Sequence, residues 1–303
     1  MTQENDILIV TDSNSGITPQ EAEILNIGLV PMPFMIDGKE YTENMSLSRP
    51  EFLALLKEGK NICTSQPPVG ELMELFEEEL KAHGHIIYIP MSSALSGSCM
   101  TAKCLSSAFG QKVTVVDNLR ISCTQKQSVL EAVQLSKAGY TPEKICSLLE
   151  EHKNKASVYI AVNSIDYLKK GGRITKYAEA AVTGLNLKPV LQIQGEKLDY
   201  FCRARGMKSA QKKILEAIAY DMTHRFFGKD VVIKGAFSEE SKESEEWLRS
   251  LRDYFPAHLI SADPLPFSVC CHTGPDALAA VCMEKLPEAP FIEYEIQKNA
   301  PGY

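Results

Sequence analysis

No stretch of the chain reaches the roughly 18 to 20 consecutive apolar residues that a bilayer-spanning helix needs, so stable membrane insertion is not expected. The opening residues, MTQENDILIV, carry acids where a secretory signal carries a basic n-region, which points to a cytoplasmic protein. Positive charge is short as well: 32 Lys plus Arg face 39 Asp plus Glu, a formal net charge of −7. That balance repels a phosphate backbone, so nucleic acid is not expected as a partner. The nine cysteines form no CxxC and no Cys/His ligand spacing. Reduced thiols packed as small hydrophobes fit this pattern better than a disulfide frame or a structural metal. GxGxxG, GxxxxGK[ST], GxSxG, HExxH and EF-hand spacings are all missing, and with them the usual signs of dinucleotide, P-loop, serine-elbow, zincin and calcium sites. No cofactor and no metal are expected.

The 303 residues correspond to about two domains at roughly 150 residues each, and 44% hydrophobic residues supply a sizeable core. No internal repeat or low-complexity tract interrupts them. Ile7 to Val10 is a short apolar run, and Thr18-Pro19-Gln20-Glu21 then reads as a capping box with proline at the first helical position. Ser48-Arg49-Pro50-Glu51 repeats the signal, and a third helix is expected from Val69 to His83. His85 to Pro90 and Lys112 to Asp117 are continuous apolar runs of the kind covered on both faces. This βαβα order predicts a parallel sheet whose ligands gather beyond the carboxyl ends of its strands.

Helices are predicted over 122–138 and 142–154, and Ser157 to Val162 opens a second half of different texture, placing the boundary near 157. There Pro189 to Ile193 and Lys197 to Phe201 flank Gln194-Gly195-Glu196 as a hairpin, followed by a helix over 208–227. Strands are expected at 231–237, 257–262 and 268–271, with helices at 240–253 and 275–285. The fold class is therefore α/β: residues 1–157 form a parallel-sheet domain and 158–303 a smaller α/β (α+β) layer domain, with a ligand crevice between them.

Several loops carry candidate chemistry. Cys63-Thr64-Ser65-Gln66-Pro67-Pro68 places two hydroxyls and an amide in a proline-stiffened loop, a pattern that an ordinary helix-start loop also satisfies. Met91 to Ser98 holds four serines and Gly97 between a strand and a helix, where hydroxyls and free N–H groups can meet an anion. Lys169-Lys170-Gly171-Gly172-Arg173 ends a helix at its glycines and leaves Arg173 just past the turn. Arg203 and Arg205 suit an anion or an acidic partner surface. Cys271-His272-Thr273-Gly274-Pro275 ends an apolar strand at a histidine, either a structural imidazole or a ligand-facing one.

Taken together, Thr11-Asp12-Ser13, Thr64-Ser65-Gln66-Pro67, Ser93-Ala94-Leu95-Ser96-Gly97-Ser98, Gly171-Gly172-Arg173-Ile174, Lys188-Pro189-Val190-Leu191 and His272-Thr273-Gly274-Pro275 closely resemble the DegV family of bacterial fatty-acid-binding proteins. The resemblance implies a Rossmann-like domain followed by a smaller α/β sandwich, with one long-chain fatty acid in a tunnel between them. It also implies that a separate fatty acid kinase, built on a dihydroxyacetone-kinase-like domain, phosphorylates the bound carboxylate, while the carrier itself catalyses nothing. Carried over by position, Thr64 and Ser96 look like the hydroxyls that hold the carboxylate. Ser65, Ser93, Gly97 and Ser98 would lie beside them, His272 would face the same head group, and Arg173, Arg203 and Arg205 would orient it or dock the kinase. The tunnel is then expected to be apolar along its length and lined by hydroxyls at one tip. The alternative in another class is a serine hydrolase or acyltransferase using Ser96 or Ser98 with His272.

Overall fold

Ile7–Asp12 (β1) is an inner strand of a four-stranded parallel sheet in the computed structural model, which describes residues 6–43, 45–175, 187–195 and 197–289. It pairs with β2 (Gly28–Val30) on one side and β6 (His85–Ile89) on the other, and β7 (Val113–Val115) lies outside β6. Helices cover both faces, so these strands lack polar alternation. Ile9, Ile87 and Ile89 pack with α1 (Pro19–Leu25), α5 (Cys123–Lys137) and α6 (Pro142–Glu151). Leu8, Val10, Ile86 and Tyr88 face α3 (Val69–Glu79) and α4 (Ser98–Ser106). The predicted capping boxes form at Thr18/Glu21 before α1 and at Ser48/Glu51 before α2 (Arg49–Lys57).

The second half builds a six-stranded mixed sheet in the order β10 (Leu198–Arg205), β9 (Leu187–Ile193), β8 (Ala156–Ala161), β13 (Leu278–Glu284), β11 (Val231–Phe237), β12 (Ser261–Pro264). All neighbours are antiparallel except β11 and β12, and the expected hairpin is β9–β10. One face is covered by α8 (Met207–Thr223) and α9 (Lys242–Tyr254), through Ile214, Ile218, Trp247 and Leu251. The other face looks towards α2, α10 (Phe267–Thr273) and a three-stranded antiparallel sheet that the sequence did not announce. That sheet runs β4 (Lys39–Thr42), β3 (Pro33–Ile36), β5 (Ile62–Thr64). Its Phe34 stands edge-on to Phe52 and Phe267, whose rings stack at 4.4 Å, so residues early in the chain complete a core begun after residue 156.

Three expectations for the second half are corrected. Residues 268–271 are helical, because Pro264 and Pro266 end the preceding strand and Cys270 N–H closes an i→i−4 bond onto Pro266. Residues 275–285, expected as a helix, hold β13 (Leu278–Glu284) instead. Leu278, Ala280 and Cys282 face α8 and α9, while Ala279, Val281 and Met283 face the opposite core. A strand covered on both faces shows no polar alternation, and its helix propensity yields to the ladder. The strand expected at 257–262 forms later, at Ser261–Pro264, beside β11.

No described helix is long and apolar enough to cross a membrane.

Candidate functional site

Alternation along the mixed sheet places two rows of apolar side chains on the face opposite α8 and α9. Ala236, Ala279 and Ile160 lie side by side on β11, β13 and β8; the next row runs Val281, Val158, Ile193 and Leu198 across β13, β8, β9 and β10. All seven line one cavity of about 1230 Å³ of empty space, its opening to solvent included. The walls come from Met32, Met91 and Ile121 of the first half and from Leu168, Leu265 and Val269 of the second.

The cavity's more exposed end is polar. Thr64 ends β5, and its Oγ1 shares a 3.0 Å hydrogen bond with His272 Nε2 in the last turn of α10. Ser65, Gln66, Ser96 and Gly97 line the same cavity. Gln66 Oε1 accepts from Thr101 Oγ1 at 2.9 Å, tying the loop after β5 to the first turns of α4. Ser96 Oγ accepts from Ser98 N–H at 3.2 Å and donates to Ser98 Oγ at 3.0 Å.

His272 is held neutral. Burial, aided by the Arg173 charge, pulls it down to about 4 from its ordinary value. Its Nδ1 is buried without a hydrogen-bond partner and faces Gly171, where a Cβ would overlap the ring. The glycine at the end of α7 (Asp166–Lys170) is therefore required by close approach, while Gly172, at φ 65°, takes the left-handed turn. Arg173 lines the cavity, and its guanidinium donates to the Gly171 carbonyl.

Deeper inside, the cavity is not apolar throughout, as expected from the resemblance, but carries a second polar patch of Asn14, Ser122 and Ser268. Ser122 sits at φ 53°, a left-handed value no sequence rule assigns to serine. Ser268 Oγ donates to Asn14 Oδ1, and Asn14 Nδ2 donates to Asp12 Oδ1 at 3.0 Å. Glu43 caps α10, accepting from Phe267 N–H, and from Ser13 Oγ at 2.9 Å; burial lifts it to about 7.

Of the residues singled out in the sequence, Thr64, Ser65, Ser96, Gly97, Arg173 and His272 meet in this cavity. Ser98 lies buried behind Ser96. Ser93 faces a separate cleft with Lys103, Asp117 and Lys153, its N–H donating to Asp117 Oδ1 at 3.2 Å. Arg203 and Arg205 lie exposed on the edge strand β10, away from the lining. Asn14, Ser122, Glu43 and Ser268 were missed. Their only sequence signal is the position of Asn14 directly after Asp12-Ser13, at the carboxyl end of a parallel strand. Among the described residues no group of three or more His, Cys, Asp or Glu is placed to hold a metal.

Fold and cavity define an α/β pocket protein, with a parallel and a mixed sheet meeting at an apolar chamber that ends in hydroxyls and an imidazole. The chain belongs to the DegV family: the family described as uncharacterised protein, DegV family, matches residues 6–285. A DegV domain-containing protein of Streptococcus pneumoniae is 34% identical over 274 residues, 90% of this chain and 96% of that one. Among solved structures, a DegV family protein of Thermus thermophilus, described for its fatty acid binding, superposes with a TM-score of 0.82 at 27% identity, covering 92% of this chain and 99% of that one. DegV of Bacillus subtilis, a fatty acid binding protein, gives 0.81 at 27% identity with the same coverage.

Proposed function

We propose that the cavity holds one long-chain fatty acid, its acyl chain along the two apolar rows and its carboxyl at Thr64, Ser96 and His272, and that the protein presents this carboxyl to a separate fatty acid kinase. The observation that carries the reading is the joining of an apolar floor to a hydroxyl-and-imidazole end at the exposed side of one cavity. About fourteen methylenes at roughly 0.8 kcal/mol each supply about 11 kcal/mol of gross transfer free energy. Translational and ordering costs take back several kcal/mol, leaving a tight but reversible complex.

The head-group chemistry suits delivery more than sequestration. His272 is neutral and Arg173 is engaged by a backbone carbonyl, so the carboxylate oxygens would rest on neutral donors and stay available to a phosphoryl donor. In this reading Arg203 and Arg205, exposed on the edge of the sheet, serve a partner surface rather than the ligand. The protein is then a cytoplasmic carrier without a resident cofactor or metal, its halves 1–157 and 158–303 sharing the ligand. The hydrolase alternative finds little support, because Ser96 pairs with Ser98 while His272 pairs with Thr64.

Mass spectrometry of an organic extract of the purified protein tests the binding step, with near-stoichiometric fatty acid expected. A lipid-free protein that also fails to take up hexadecanoate would overturn the assignment. Ser96→Ala tests presentation: acyl-phosphate formation with the kinase should fall by more than lipid retention does. Equal losses would remove the presenting role.

A further inference from the structure

We propose that Asn14 is a positioning residue for the head-group end of the cavity, linking the helix that carries His272 to Asp12 at the end of β1, whose carboxylate holds the loop that carries Ser96. The inference rests on the fatty-acid reading above and adds to it the device that keeps the two halves of the head-group site in register.

Those halves have no covalent reason to stay together. Ser96 hangs on the loop after β6 in the parallel sheet, whereas His272 belongs to α10, packed on the mixed sheet. The loop begins at Met91, whose N–H donates to Asp12 Oδ2 at 2.8 Å. The other oxygen, Asp12 Oδ1, receives Asn14 N–H at 3.1 Å, Asn14 Nδ2 at 3.0 Å and Gln125 Nε2 at 3.0 Å. With Nδ2 held there, Asn14 Oδ1 points the other way and accepts from Ser268 Oγ. Ser268 stands one helical turn before His272, and both line the cavity.

Asn14 is fully buried, and its remaining polar atom is used too: its carbonyl accepts from Ser122 N–H at 2.8 Å, holding a further cavity residue. Two cavity segments thus meet at Asn14, and its hydrogen bonds to Asp12 link them to the loop that Asp12 holds at Met91. A helix of seven residues such as α10 does not hold its own position in isolation, so its anchors decide where its last turn lies. Glu43 fixes the start of that helix, and Asn14, through Ser268, fixes the face that carries His272. A small displacement of that turn relative to Ser96 would spoil hydrogen bonds to a carboxylate, whose geometry is narrow, while barely changing apolar contacts along the floor.

The two effects separate with a pair of ligands of equal chain length, hexadecanoate and hexadecanol, each read by displacement of a neutral fluorescent lipid. In Asn14→Ala the affinity for hexadecanoate should fall about tenfold, as for one charge-assisted hydrogen bond, with hexadecanol held within about twofold. Ser268→Ala should do the same, and the double variant should lose little more than either single one. The carboxyl resonance of bound [1-13C]hexadecanoate should shift in both variants. Equal losses for acid and alcohol, or an unchanged acid affinity, would overturn the positioning role. Should Asn14→Ala fail to fold, Ser268→Ala is judged alone by the same ratio. Wild-type protein that binds neither ligand would instead overturn the fatty-acid reading, and this inference with it.

Discussion

Gly171 lies against the Nδ1 side of the His272 ring so closely that any Cβ at that position would overlap Nδ1 and Cε1. The ring is thereby confined between a bare backbone and the Thr64 hydroxyl. Gly171→Ala should push the imidazole off Thr64, cutting hexadecanoate affinity at least tenfold and costing about 1–3 kcal/mol of stability through overpacking. Gly172→Ala is the control: its Cβ would meet open space, so only the backbone strain of about 1 kcal/mol is expected, without loss of binding. Ligand titrations and thermal melts of both variants decide the matter, and equal binding losses in the two would count against the steric account.

Ala279 occupies the middle of the smaller apolar row, between Ala236 and Ile160. Ala279→Leu would fill the floor there, and extracts of that variant should lose long-chain fatty acid although the protein still melts cooperatively. Wild-type occupancy in the variant would place the acyl chain elsewhere.

Two groups, the partly buried His272 and the buried Glu43, pull stability in opposite directions with pH. His272 is lowered to about 4 by burial and by Arg173, so its contribution is complete above its unfolded value near 6.5 and is lost as pH falls towards 4. Glu43 is raised to about 7 by burial, against the hydrogen bonds from Phe267 and Ser13 and the Arg49 charge. Its contribution is complete below about 4.5 and is lost as pH rises towards 7. In urea unfolding at stepped pH, His272→Asn should lose less stability than wild type between pH 6.5 and 4.5. Glu43→Gln should lose less between pH 5 and 7. Parallel curves for all three proteins would contradict both assignments.

Lys126 is buried between the two sheets, donating to Glu21 on α1 at 2.8 Å and to Asp263 on β12 at 3.2 Å. The two carboxylates hold its ammonium charged, raising it despite burial. Lys126→Met leaves both acids without their shared cation, and a loss of about 3–5 kcal/mol is expected in urea unfolding. A change below about 1 kcal/mol would mean that water reaches the cluster and screens it.

Helix starts were legible because capping is local: Thr18 and Glu21, or Ser48 and Glu51, need only residues three apart to satisfy the first N–H groups. The β9–β10 hairpin was legible for the same reason, its turn at Gln194 and Gly195 lying between two apolar runs. The site was legible only in part. Thr64, Ser96, Arg173 and His272 could be named through a family pattern, which records residues that meet in space without showing how they meet. Nothing local distinguishes Ser96, which lines the cavity, from Ser93, which faces another cleft; a loop turn does that.

Composition, periodicity and capping signals alone determined an α/β chain with a parallel first sheet, the capped starts of its early helices and a strongly apolar interior, since each follows from interactions within a few residues. Only tertiary structure decided that Phe267 to Thr273 is a helix and Leu278 to Glu284 a buried strand, because that choice depends on which faces are covered from outside the segment. It also decided the cavity itself. The apolar rows, the Thr64–His272 contact and the Asn14 junction each join residues far apart in the chain, whose energies are realised only after both sheets have formed and closed on one another.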